Sequence, residues 1–321
     1  MRPSFRVLSR LAPAAALAAA LPGRAVAQGP ASPRPAAFSP SVSAMAGIAP
    51  TADSTAAGRA GAAVAAPARL LPVRPPAHAP LVSPDRPGFS YAPGTLPAGA
   101  VQLETGATDA HAGTQSYRTV GEALLRVGVV AGTELRVSGQ SFAVRTDAAA
   151  PLGTRTATGT EDARVGVKQR LVAGHGSTGL GATSLALLAG TTVPSGSPGF
   201  GARAWQPEAT LLVNTPLTAR FSLVENVSDS YAAASATPDG RRRHRVGGTV
   251  AGWYTVSSKL SAFGEYAGSR LAGTAAPAAH YVDAGVALAP VGHVQLDLRA
   301  GAGMNGVPGD RFVGAGLVRR W

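Results

Sequence analysis

From Gly99 to the chain end, apolar and polar residues alternate in segments bounded by turn-forming residues. A period of two marks a strand with two unlike faces. Twelve strands are predicted: 99–109, 116–130, 133–146, 160–173, 180–193, 203–214, 217–230, 243–256, 259–270, 278–289, 292–302 and 311–321. In the first, Val101, Leu103 and Thr105 face one way, and Gln102 and Glu104 the other. In the second, Ala123, Leu125, Val127 and Val129 oppose Glu122 and Arg126. In the fourth, Ala163, Val165, Val167 and Leu171 oppose Arg164, Lys168 and Arg170. Two strands break the rule. Phe221 and Leu223 share a face with Glu225, and Trp253 and Tyr254 fall on opposite faces.

Connectors come in two lengths. Short ones are Ala131-Gly132, Asn214-Thr215-Pro216, Ser257-Ser258 and Ala289-Pro290-Val291-Gly292, with Ala173 to Leu180 slightly longer. Long ones are 110–115, 147–159, 194–202, 231–242, 271–277 and 303–310. Strict alternation, with an even strand number, predicts an all-β fold: a transmembrane antiparallel β-barrel of about 12 strands. Its short turns are periplasmic and its longer loops extracellular. A charge facing lipid at the bilayer midplane costs about 2–4 kcal/mol, so the charged faces are expected inside. A soluble β-sandwich or lipocalin-like barrel shares the period. It fits less well, because nearly every strand here has both an apolar face and a charged one.

The last strand ends flush on Trp321, with Arg319, Leu317, Ala315 and Val313 sharing its face. A terminal aromatic suits the interfacial girdle of such a barrel. Phe312, Leu317 and Trp321 are read as the assembly signal for the barrel-assembly machinery, with periplasmic chaperones as further partners. At the other end Arg2, Arg6 and Arg10 precede an apolar stretch, and Ala25-Val26-Ala27 gives a small-x-small cleavage site. Residues 1–27 are thus read as a signal peptide. Residues 28–82, rich in Ala, Pro, Ser and Gly, are read as a disordered periplasmic leader, and 83–321 as an outer-membrane barrel domain. No later run is long and apolar enough for a spanning helix.

Composition narrows the chemistry. With no cysteine among 321 residues, thiolate catalysis and cysteine metal sites are excluded. Glycine is abundant at 40 residues and charge sparse at 14%, which suits bent strands between lipid and a crowded interior. The net charge of +12 overstates any basic surface, because many arginines precede the folded part. No aromatics interleave with the basic residues, so nucleic acid is not an expected partner.

The pieces Asp85-Arg86-Pro87-Gly88-Phe89, Leu96 to Gly106, Gly132 to Val137, Asp162 to Arg170, Thr192 to Ser197 and Gln206-Pro207-Glu208 form an ordered series. Phe263-Gly264-Glu265-Tyr266, His280 to Gly285 and Asn305 to Leu317 continue it. Together they resemble the meta-pathway phenol-degradation family of outer-membrane transporter-like proteins, over about 83–321. The departures are the long Ala/Pro leader and the Ala- and Gly-heavy strands. The resemblance implies an outer-membrane location and a hydrophobic or aromatic cargo.

The inward faces offer Glu104, Glu122, Arg126, Arg136, Arg164, Lys168, Arg170, Glu208, Arg220, Glu265, Asp283, Asp297 and Arg299. They suit either a paired network that fills a narrow lumen or a polar lining that passes a small solute. Asp85, Arg86, Pro87, Gly88 and Phe89 precede the first strand and suit a plug or a periplasmic rim, with Phe89 and Tyr91 as plug or girdle aromatics. Arg241-Arg242-Arg243-His244-Arg245 reads as a solvated loop tip or a contact for lipopolysaccharide. Outer-membrane lipid is the expected surrounding. Asn305 and Asp310 are too few ligands for calcium. No cofactor and no catalytic residue is expected: hydrolase motifs are missing. His280 with Ser269 or Ser261 is the one pairing worth testing for a barrel hydrolase. The reading is therefore a channel or transporter-like barrel, with a structural or adhesive barrel of closed lumen as the alternative.

Overall fold

In the computed structural model, residues 82, 84–150, 153–237, 240–304 and 311–321 are described. The signal peptide and nearly all of the leader lie outside these residues, as do Asn305 and Asp310. The strands are β1 (Val101–Ala112), β2 (Gln115–Val120), β3 (Leu124–Val130), β4 (Thr133–Ser138), β5 (Phe142–Asp147), β6 (Arg155–Thr160), β7 (Arg164–Val172) and β8 (Ser184–Thr192). They continue as β9 (Gln206–Pro216), β10 (Phe221–Ala232), β11 (Arg243–Thr255), β12 (Leu260–Leu271), β13 (Ala279–Val291), β14 (Val294–Met304) and β15 (Arg311–Arg320). Twelve of them form one antiparallel order, β10-β11-β12-β13-β14-β15-β1-β3-β4-β7-β8-β9. The turn from β9 to β10 packs the two ends of this order together and closes the barrel.

The remaining three strands are continuations of predicted ones. The chain breaks at 121–123, 139–141 and 161–163, so that β2, β5 and β6 prolong β3, β4 and β7 as a separate flap beside β1. At the first break Gly121 takes φ 74°, a region that glycine enters without strain. The N–H groups of Gly121 and Glu122 both donate to the Gly106 carbonyl, at 3.0 and 3.1 Å. The expected long loop at 110–115 is in fact a two-residue turn, Gly113-Thr114, because both strands run on through it.

Register carries the two faces round the ring. Glu134 pairs with Lys168, Lys168 with Leu188 and Leu188 with Thr210, all buried inside. Their neighbours Leu135, Val167, Leu187 and Leu211 point outward and are exposed. The bulges at Gly128/Val130, Arg170/Val172 and Leu288/Val291 lie at the periplasmic ends, where a slip disturbs little. The outer face is apolar: Leu296, Leu298, Val313 and Leu317 all stand exposed on two adjacent strands. Such a surface is costly in water and suited to lipid.

The two ambiguous strands resolve differently. Trp253 turns inward and stacks on Phe263, with ring centroids 4.8 Å apart, while Tyr254 faces out. Glu225 pairs with Val250 on the outer face, so one carboxylate does point away from the lumen. Arg220 lies at the edge of the inward face. It is exposed in the turn before β10, where Thr218 Oγ1 accepts the N–H groups of Arg220 and Phe221. Arg220 keeps the inward parity of Val224 and Asn226, and its carbonyl accepts the Thr255 N–H at 2.8 Å, so it stands at the periplasmic mouth of the lumen and not in its buried part.

A plugged and charge-lined lumen as the candidate functional site

The segment before β1 runs inside the barrel, and the lumen charges are arranged around it. Asp85 pairs with Lys168 at 3.0 Å, with Arg126 at 3.7 Å and with Arg136. Its own N–H donates to Glu104 Oε2 at 3.0 Å. Arg126 grips Glu134 with Nε at 2.8 Å and Nη2 at 2.9 Å, and reaches Glu104 with Nη1 at 3.0 Å. The result is a buried cluster of three acids (Asp85, Glu104, Glu134) and three cations (Arg126, Arg136, Lys168). Two plug backbone groups join it: the Leu96 N–H donates to Glu134, and the Ala92 carbonyl accepts from Lys168 Nζ. Burial by itself raises the Asp85 carboxyl, but Arg126, Arg136 and Lys168 outweigh it and hold the group well below the usual carboxylate range.

A second set of contacts fixes the middle of the segment to the opposite wall. Arg86 pairs with Glu122 at 2.8 Å and with Asp297 at 3.5 Å, and donates to the Ala315 carbonyl at 3.1 Å. Glu265 accepts the N–H groups of Phe89 and Ser90, at 2.5 and 2.6 Å, and the Ser90 hydroxyl. Asn226 exchanges two hydrogen bonds with the Tyr91 backbone. Phe89 packs on Phe312, with ring centroids 5.6 Å apart, and the Arg299 guanidinium lies 5.2 Å from the Phe89 centroid and 5.3 Å from that of Phe312. The wall is shaped for this. A Cβ on Gly106 would meet the Arg86 guanidinium at 2.3 Å, and one on Gly128 would meet the Pro97 carbonyl at 1.9 Å.

Beside the plug remains a cavity of about 280 Å³, reaching the level of the strand breaks. Tyr91, Arg164, Glu208, Arg245, Glu161 and Phe200 are among the side chains that line it, and Arg164 pairs with Glu208 at 3.0 Å. Asp162 orders the adjoining loop by accepting the N–H groups of Ser195, Gly196 and Arg203.

Most of the expected lumen residues are found inside. Glu104, Arg126, Arg136, Lys168, Glu265, Asp283, Asp297 and Arg299 are buried, and Glu122, Arg164 and Glu208 are half-buried at the cavity. Asp283 faces Glu265 directly across β12 and β13. Arg170 is half-buried on the inward face at the periplasmic end, opposite Ala186. Arg220 is exposed at the periplasmic mouth, on the inward parity of β10. Asp85 to Phe89 form the plug rather than a rim. Phe312 points inward onto Phe89, whereas Leu317 and Trp321 are exposed on the outer side. Glu134, Asn226 and Arg245 were missed. Glu134 alternates with Arg136 on one strand, which is a legible signal. Arg245 was read as part of a loop tip, although it lies within the strand expected over 243–256; in β11 it pairs with the buried Ser230 and turns into the cavity. The hydrolase pairing is ruled out by register: His280 faces outward with the Tyr266 hydroxyl 2.5 Å from Nδ1, while Ser261 and Ser269 lie on the opposite face.

A barrel with a segment of this kind in its lumen also matches a family at the level of sequence. The family model described as "Putative MetA-pathway of phenol degradation" covers residues 84–321, the plug and the whole barrel. The chain belongs to this family. No curated protein matches the sequence. Among solved structures, a COG4313 outer membrane channel from Pseudomonas putida F1 is 16% identical, with 71% of this chain and 97% of that chain covered and a TM-score of 0.46. The NanC porin is 7% identical, with 68% and 97% covered and a TM-score of 0.44. The CymD monoaromatic hydrocarbon channel is 9% identical, with 70% and 89% covered and a TM-score of 0.38.

Proposed function

We propose that this family member is an outer-membrane channel for small hydrophobic or aromatic solutes, with the segment 84–97 as its gate. The observation that carries the reading is a polar cavity inside an apolar-walled barrel, next to a segment held by discrete ion pairs and hydrogen bonds. Such contacts can be exchanged for water when the segment moves, whereas a continuous apolar core could not. The family's description, which names phenol degradation, supports an aromatic cargo. Residues 1–27 then act as the export signal and 28–82 as a periplasmic leader, and the barrel reaches the membrane through the assembly machinery.

One observation favours a second reading. The cluster around Asp85 is charge-balanced and buried, as expected of a closed structural barrel. Flux through purified protein in liposomes separates the two. A neutral aromatic that crosses faster than a neutral sugar and faster than in protein-free vesicles supports the channel. A folded barrel that passes none of the solutes would establish the closed one.

A further inference from the structure

Outside the lumen, one half of the barrel carries a row of basic and imidazole side chains at its extracellular end. The row comprises Arg118, His111, Arg311, His280, Arg270 and His244, on β2, β1, β15, β13, β12 and β11. Register places all of them on the outer face. His111 pairs with Arg311, and Asp109, on the same face as His111, pairs with Arg118. His280 pairs with Gly268, two residues before Arg270 on the same face, and His244 pairs with the exposed Tyr231. All but Arg118 sit within two residues of their strand's extracellular end.

The row has internal pairing but is not neutralised by it. Arg118 Nε and His111 Nε2 lie 3.1 and 3.3 Å from the same Asp109 oxygen, and Asp229 pairs with His244 at 3.0 Å. Arg270 and Arg311 are exposed and have no acidic partner among the described residues. Further down the same outward faces stand exposed apolar side chains: Val120, Val313 and Val282 one position below Arg118, Arg311 and His280, and Tyr266 and Val250 two and three positions below Arg270 and His244. On the other half of the barrel, Val137, Val165, Thr191 and Pro207 occupy the corresponding outward positions and carry no charge.

Cations above an apolar wall match an amphiphile with anionic phosphates above acyl chains. Free phosphate would satisfy the cations but not the wall beneath them. We propose that this row holds the phosphates of a phosphorylated glycolipid of the outer leaflet, its acyl chains lying along the apolar face below. The proposal rests on the outer-membrane barrel reading but not on transport. Guanidinium groups suit phosphate because they present paired donors at fixed spacing, and the attraction weakens with salt.

The test uses the purified full chain in phosphatidylcholine vesicles that contain either diphosphorylated lipid A or the same lipid with its phosphates removed. The readout is the temperature at which half of the compact, unboiled gel species is lost. The phosphorylated lipid is expected to raise that temperature by several degrees over the dephosphorylated one. The triple variant Arg118→Ala, Arg270→Ala, Arg311→Ala should lose most of the difference, while Arg220→Ala with Lys259→Ala, in the opposite turns, should keep it. Equal protection by the two lipids, an undiminished difference in the triple variant, or the same protection from inorganic phosphate would each overturn the proposal. A barrel that passes no solute yet shows the expected difference would sink the channel reading alone.

Discussion

Replacing Asp85 with alanine should unlock the plug and leave the barrel intact. Asp85 neutralises Lys168, Arg126 and Arg136 at once. Its loss leaves two carboxylates, Glu104 and Glu134, against three cations, all buried. Removing one partner of a buried ion pair costs about 3–5 kcal/mol, because the charge left behind has no water to turn to. The strands do not need this contact for their ladders, so the cost falls on the docked position of 84–97. With roughly 1.4 kcal/mol per tenfold, the lower figure alone raises the ratio of undocked to docked segment roughly hundredfold. The assay is ion conductance in planar bilayers, with heat-modifiable migration on gels as the check on folding. Asp85→Ala should conduct more and stay open longer than the wild type. Adding Lys168→Met restores the balance at two acids and two cations, so the double variant should close again in part, a coupling that the individual substitutions do not contain. A folded Asp85→Ala barrel with wild-type conductance would refute the claim that this cluster holds the gate.

Other outcomes are expected from the same geometry. Phe89→Ala removes the ring between Phe312, Tyr281 and Arg299; a cavity of that kind costs about 3–5 kcal/mol, and the variant should show faster solute flux in liposomes. Gly128→Val drives a side chain into the Pro97 carbonyl, so limited proteolysis should cut the segment 84–97 in the variant and spare it in the wild type. Deleting Trp321, which is exposed beyond the last strand, should lower the yield of assembled barrel in outer-membrane fractions; an unchanged yield would remove it from the assembly signal. His280→Ala with Ser269→Ala should leave every transport measurement unchanged, because the two side chains lie on opposite faces of the sheet.

The inner half of the site was legible because alternation has no freedom in a closed sheet. Once one residue of a strand faces lipid, every second residue does. Glu104, Arg126, Lys168, Asp297 and Arg299 could therefore be assigned to the lumen from the sequence. Arg245 was misplaced because the basic run 241–245 straddles a strand boundary and was read as a loop, although alternation within the strand expected over 243–256 gives Arg245 the inward face of Ala251. The three strand breaks were not legible, because the parity flips across them: Val120 and Phe142 face outward from even positions, whereas Leu125 and Val137 face outward from odd ones, so no single period runs through 116–130 or 133–146.

The sequence by itself determined the twelve-strand antiparallel ring, most of its inward charges, the closing aromatic residue and a segment ahead of β1, Asp85 to Phe89, suited to a plug or a rim. Only the tertiary structure decided which charges meet. Asp85 and Lys168 are far apart along the chain, as are Phe89 and Glu265, and no local period relates them. Barrel closure brings these groups within hydrogen-bond distance, and the low polarity inside makes each pairing obligatory. Whether the lumen is lined or filled is thus a property of the closed sheet and the segment within it, and not of any one strand.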